Sequence, residues 1–228
     1  MSGLSENLNE NEENQSLIKY DDISRCSGTD GCYGITVGSI DPAIIEFAMK
    51  PLFMVVTEQP LGSAEGLRRG IENESMERGV PVALSQLFDG RFYVGIKSKK
   101  IYWTHFIKCP GRIRGRRRGK KGRSGLKIDA CAKKFLRKEI EDLEPEVIIT
   151  VGANASKFVL TMGGLGDDWQ TILWKEIEAV ATNRQGEFQA PVVRTSRVLV
   201  FMHPSMANPL RFLFLKLKPL LYPYMKRL

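Results

Sequence analysis

The chain has 228 residues, is 43% hydrophobic, and carries 34 Lys and Arg against 26 Asp and Glu, for a net charge of +8. That length accommodates one globular domain with a full core and a flexible tail, and the excess of positive charge points to a polyanionic partner. No charged, apolar, then small-residue pattern opens the chain, so no signal peptide is expected and the protein is read as intracellular and cytoplasmic. The longest apolar run, residues 210–228, is broken by Lys216, Lys218 and Pro219 and cannot serve as a bilayer span.

In chain order, residues 1–17 are rich in Asn, Glu and Ser and nearly lack large apolar groups. Such a segment cannot offset its ordering entropy, and it reads as a disordered acidic tail ahead of a domain over 18–228. A helix is expected over 42–49. Four short apolar runs then read as buried strands: 51–57 (PLFMVVT), 101–108 (IYWTHFIK), 146–152 (EVIITVG) and 197–203 (RVLVFMH). They are continuous rather than alternating, as strands covered on both faces should be. Between the second and third, Phe135, Leu136, Ile140 and Leu143 recur at helical spacing, and Pro145 ends that helix. Further helices are expected over 153–161, 167–180 and 208–217. Strands alternating with helices predict an α/β sandwich with a mainly parallel sheet, because parallel strands need long crossovers.

Ligands of open α/β sheets bind beyond the carboxyl ends of the strands. The segments there are TEQPLG, HFIKC, GANAS and HPSMAN. The chain has only 2 histidines, His105 and His203, and both fall in this set.

The cysteines are spaced as a C-x5-C pair, Cys26 and Cys32, and a C-x21-C pair, Cys109 and Cys131. Two distant thiol pairs suit an iron–sulfur cluster or zinc, and they equally describe unrelated buried thiols. Cys109 ends a strand and Cys131 begins a helix, so the segment between them, 110–130, reads as a loop held at both ends. It packs eight cations into the twelve residues 112–123: Arg112, Arg114, Arg116, Arg117, Arg118, Lys120, Lys121 and Arg123. Counterion release favours phosphate binding by such a loop. A solvated insertion or a localisation signal has the same composition.

The segments VVTEQPLG, THFIKCPG, CAKKFLRKEIEDLEPEVIITVGANA and VFMHPS resemble, in order and spacing, the motifs of the uracil-DNA glycosylase superfamily, nearest to its iron–sulfur-containing family 4 type. The resemblance runs from about Cys26 to Pro209. It implies a three-layer α/β/α sandwich on a central four-stranded, mainly parallel sheet, a four-iron, four-sulfur (4Fe–4S) cluster on Cys26, Cys32, Cys109 and Cys131, and hydrolysis of the N-glycosidic bond of uracil in DNA, single- or double-stranded, by a monomer. Because a base inside a duplex is out of reach, the nucleotide has to be flipped into a pocket. Loss of the base leaves a cationic sugar and an anionic base, so the site needs a group that orients water and a donor for the anion.

Carried onto this chain, the resemblance puts the water-activating and base-contacting groups at Glu58 and Gln59 and the anion-facing histidine at His203. Ser205, Met206 and Asn208 fall on the loop that enters the minor groove. The chain departs from the pattern at four places: Thr57 and Leu61 replace glycines, His105 replaces an asparagine that reads the uracil edge, and Val82 replaces the aromatic that stacks on the base, a role Phe88 is a candidate to assume. A related subgroup bonds covalently to DNA through a histidine in its basic loop; residues 111–130 contain none, so covalent capture is not expected. The alternatives are a non-catalytic iron–sulfur DNA-binding protein of the same fold and a zinc-bound RNA-binding accessory protein.

Overall fold

The structure is a computed structural model that describes residues 50–58, 73, 79–108, 131–166, 168–205 and 211–228. The expected tail, the helix over 42–49, Cys26, Cys32, Gln59, Leu61, Cys109, the basic loop, Met206 and Asn208 lie outside them.

Strands β1 (Phe53–Thr57), β2 (Ile101–His105) and β3 (Val147–Val151) are buried at every position. Both faces of these strands are therefore covered, which accounts for their unbroken apolar sequences. With β4 (Val192–Val193) and β5 (Ser196–Phe201) they form a five-stranded sheet in the order β2-β1-β3-β5-β4. The pairs β1–β2, β1–β3 and β3–β5 are parallel, and only β4 runs antiparallel, to β5. The expected four strands are thus joined by a fifth. It is a two-residue edge strand folded back through Arg194, whose φ of 55° makes the tight turn.

Helices α1 (Val80–Leu87) and α2 (Phe92–Lys97) connect β1 to β2. Neither was legible as a helix in the sequence. Before β3, a π-helical turn (Ala132–Leu136) runs into α3 (Arg137–Leu143), which ends at Glu144 with φ 41° just ahead of Pro145. Helices α4 (Ala153–Met162) and α5 (Trp169–Ala181) follow β3 and match their expected spans to within two residues. Right-handed crossovers put the connections to β2 and to β3, which run in opposite directions along the sheet, on opposite faces. At the end of the chain, the helix expected over 208–217 appears as the short α6 (Leu213–Lys216), followed by a 3-10 turn (Lys218–Leu221) and α7 (Tyr222–Met225). Pro219 and Pro223 divide what would otherwise continue.

A row of aromatic rings crosses the core from Phe53 through Phe88 and Phe92 to Trp103 and His105, with successive centroids 5.2, 5.6, 5.5 and 5.2 Å apart. Phe88 is fully buried between Phe53 and Phe92, so it fills the core and is not a replacement for the base-stacking ring.

Candidate active site

Because β1, β2, β3 and β5 are parallel, their carboxyl ends share one edge of the sheet. Thr57 lies opposite His105 in the register, Val56 opposite Thr150, and Val151 opposite Phe201. The residues that follow, Glu58, the Gly152–Asn154 turn and His203, converge on that edge. β1 and β2 stay joined past their ends, Phe106 N–H donating to Thr57 O at 2.7 Å and Ile107 N–H to Glu58 O at 2.9 Å.

Glu58 is half-buried and held by one partner residue twice. Its Oε1 accepts the backbone N–H of Asn154 at 3.1 Å, and its Oε2 accepts the Asn154 side-chain Nδ2 at 2.9 Å. The first turn of α4 leaves backbone N–H groups without helical partners, and its N-cap, Gly152, has no side chain to supply one. Glu58 reaches from another strand to fill that role, where the helix dipole favours a negative charge. Gly152 is required by conformation and by space: its φ is 102°, and a Cβ there would stand 2.6 Å from Glu58 Oε1. An ionised carboxylate offers about four acceptor positions, and Asn154 uses two, leaving capacity for a water molecule. Asn154 was not singled out in the sequence, although the run GANAS after a strand places an amide at a helix start.

His203 follows β5. Burial lowers its pKa below the usual 6.5, and the charge of Glu58 partly opposes that shift, so the two groups act on each other across the site. The backbone N–H of Ser205 donates to His203 Nδ1 at 3.2 Å. A backbone N–H can only donate, so Nδ1 is an acceptor and the neutral ring carries its proton at Nε2. The site thus pairs a fixed carboxylate with a neutral imidazole donor.

His105 is 1% exposed and packs edge-on against Trp103. Its Nδ1 is bonded to Thr57 Oγ1, which also accepts the Trp103 indole N–H at 3.2 Å. Val82 is half-buried in the first turn of α1, beside Val80, Pro81 and Leu84 in the core. As an aliphatic side chain it brings no π face to the site.

Cys131 begins the π-helical turn at 9% exposure, and the backbone N–H of Lys108 donates to its Sγ at 3.3 Å. Directly beneath, the buried Lys108 ammonium contacts Thr104 Oγ1 and Glu139 Oε2, the latter at 2.6 Å, and Thr104 Oγ1 donates to the same carboxylate oxygen at 2.8 Å. This ion pair fastens the end of β2 to α3 and brings together the two feet of the segment 109–130. A sulfur receiving a backbone N–H in a buried setting suits a thiolate ligand of a cluster. Among the described residues no group of three or more His, Cys, Asp or Glu is placed to hold a metal ion, three of the four cysteines lying outside them.

The sequence profile of the uracil DNA glycosylase superfamily matches residues 48–220. The chain belongs to the uracil DNA glycosylase superfamily. Comparison with curated proteins finds no match. Superfamily membership points to hydrolysis of N-glycosidic bonds and to DNA as the partner. The matched span contains Glu58, His105, Cys109, Cys131 and His203, whereas Cys26 and Cys32 precede it. Among the described residues no helix is long and apolar enough to cross a membrane.

Proposed function

We propose that the protein excises uracil from DNA by hydrolysis, leaving an abasic site. The observation that carries this reading is the meeting of Glu58 and His203 on one edge of the sheet, the carboxylate immobilised by Asn154 and the imidazole neutral with its donor at Nε2. As the glycosidic bond breaks, charge develops as a cation at C1′ and an anion on the base. Glu58 is suited to orient the attacking water and to stabilise the cationic sugar, with Gln59 beside it in sequence. The His203 Nε2–H is suited to donate to the base oxygen on which negative charge grows, an interaction strongest in the transition state. His105 reads the base edge, and Val82 offers only an aliphatic surface to its face. Ser205, already bonded to His203 through its N–H, and Asn208 carry the loop that keeps the gap in the duplex open.

The four cysteines are proposed to hold one 4Fe–4S cluster, with Lys108 N–H directed at Cys131 Sγ. Bound there, the cluster supplies no step of the hydrolysis but ties the basic segment to the sheet, so that Arg112, Arg114, Arg116–Arg118, Lys120, Lys121 and Arg123 meet phosphates from an anchored loop. Purified protein is expected to be brown and to contain iron, and Cys109→Ala to lose the colour; zinc without iron would contradict the assignment.

The activity is tested by incubating the protein with a uracil-containing oligonucleotide and cleaving abasic sites with alkali. Strand cleavage that depends on the protein and on uracil is the expected result. Tight binding with no cleavage would leave the non-catalytic DNA-binding protein as the better account.

A further inference from the structure

Just below the edge of the sheet, three buried side chains form one hydrogen-bonded row. Trp103 Nε1–H donates to Thr57 Oγ1 at 3.2 Å, and the same oxygen is bonded to His105 Nδ1. Their relative exposures are 2%, 2% and 1%, so the row is shielded from bulk water. An indole nitrogen only donates, so Thr57 Oγ1 accepts that proton and has a single proton of its own to give. It can go to His105 Nδ1 or to the Thr104 carbonyl. The carbonyl is 3.4 Å away, beyond the ordinary O–H···O range of about 2.5–3.0 Å, while Nδ1 is much closer. The hydroxyl proton therefore goes to Nδ1. A neutral imidazole that accepts at Nδ1 carries its proton at Nε2.

We propose that Trp103 and Thr57 fix the tautomer of His105, and that the resulting Nε2–H makes the site select a base with a keto oxygen at the edge His105 meets. The selection rests on the reading of His105 as the base-reading residue. A side-chain amide in that place would present a donor and an acceptor; an imidazole with its tautomer fixed presents a donor alone. A keto oxygen, as on uracil or hypoxanthine, completes the bond. An amino group, as on cytosine or adenine, sets donor against donor and leaves both unsatisfied, a mismatch that discriminates by roughly 10²-fold at a buried polar site. Thr57 and His105 face each other in the β1–β2 register, and both are positions where the chain departs from the motifs it resembles, so the two departures form one device.

With 2 histidines in the chain, the ring nitrogens of His105 can be assigned in the ¹⁵N-labelled full-length protein by comparison with His105→Asn. The expected spectrum shows a single His105 tautomer protonated at Nε2. Thr57→Val, nearly equal in volume, should draw the two nitrogen shifts together as the tautomers exchange, and Thr57→Ser should restore the original pattern. In single-turnover assays, uracil should be released at least roughly 10²-fold faster than cytosine and hypoxanthine faster than adenine, with uracil release about tenfold slower in Thr57→Val and recovered in Thr57→Ser. A wild-type His105 protonated at Nδ1, or a Thr57→Val spectrum like the wild type, overturns the relay. A keto preference that persists in Thr57→Val after the tautomer is lost overturns the selection. The expected spectra together with no release of any base also overturn the selection, while the relay stands and the fault lies in the excision reading.

Discussion

Asn154 holds Glu58 through two bonds on adjacent atoms, so removing its side chain leaves one bond and a carboxylate free to turn. Asn154→Ala is expected to slow single-turnover excision by about tenfold with little change in DNA affinity, because orientation matters chiefly in the transition state; an equal loss in affinity would show that the residue serves binding. Glu58 also raises the pKa of His203 against the larger effect of burial. Glu58→Gln should therefore lower it further, which an imidazole NMR titration can read, and a rise or no change would show that the two do not share a site. Glu176 is a different kind of acid. It is fully buried on α5, its Oε1 accepts the Val200 N–H at 2.8 Å beyond the end of the short β4, and burial pushes its pKa well above 4.5. The folded state then binds a proton that the unfolded state releases, so the contribution to stability is full below pH ~4.5, declines as pH rises toward the folded pKa, and is level above it. Glu176→Gln keeps the acceptor without the titration, and the difference in urea midpoint between variant and wild type should grow with pH above about 5; parallel curves would contradict a neutral Glu176.

At the scale of elements, the Lys108–Glu139 pair joins the end of β2 to α3, both side chains almost wholly buried. Breaking one half of such a pair strands the other charge, and Lys108→Met is expected to cost about 3–5 kcal/mol in chemical denaturation. The double change Lys108→Met with Glu139→Leu should cost less than the single one; additive losses would mean that the two charges do not depend on each other. The strands were legible because continuous apolar runs mark a sheet covered on both faces, and α4 and α5 because their apolar residues keep helical spacing. α1 and α2 were hidden for a physical reason. Each is short, and Asp89 and Gly90 between them adopt φ of 54° and 77°, which breaks the period before it can be recognised. Pro81 near the start of α1 was the available signal. β4 is too short to leave any pattern, and its place is set by the turn at Arg194 rather than by its own two residues.

Across the whole molecule, parallel topology gathers the polar ends of four strands on one edge, which is why His105 and His203 could be picked out by position before their surroundings were known. What could not be read were the partners that tune them. Asn154, Thr57, Trp103, Lys108 and Glu139 act through register and side-chain reach between strands far apart in the chain, and residue type alone does not report those. The basic segment leaves and re-enters the fold at Lys108 and Cys131, joined at 3.3 Å, so its charge emanates from the same edge as the site. Replacing Arg116, Arg117 and Arg118 together by Ser should weaken DNA binding and reduce the salt-dependence slope by about one unit for each phosphate no longer neutralised, with the fold unchanged; an unchanged slope would assign the loop another partner. The central claim is that the edge formed by Glu58 and His203 breaks a glycosidic bond, and single-turnover release of uracil by wild type and His203→Ala at equal DNA occupancy tests it most directly. The account predicts release by the wild type, slowed by roughly 10²–10³ in the variant with affinity nearly constant, the effect of losing one anion-stabilising donor. A wild type that binds the same DNA tightly and releases nothing, or a variant that releases uracil at the wild-type rate, would contradict it.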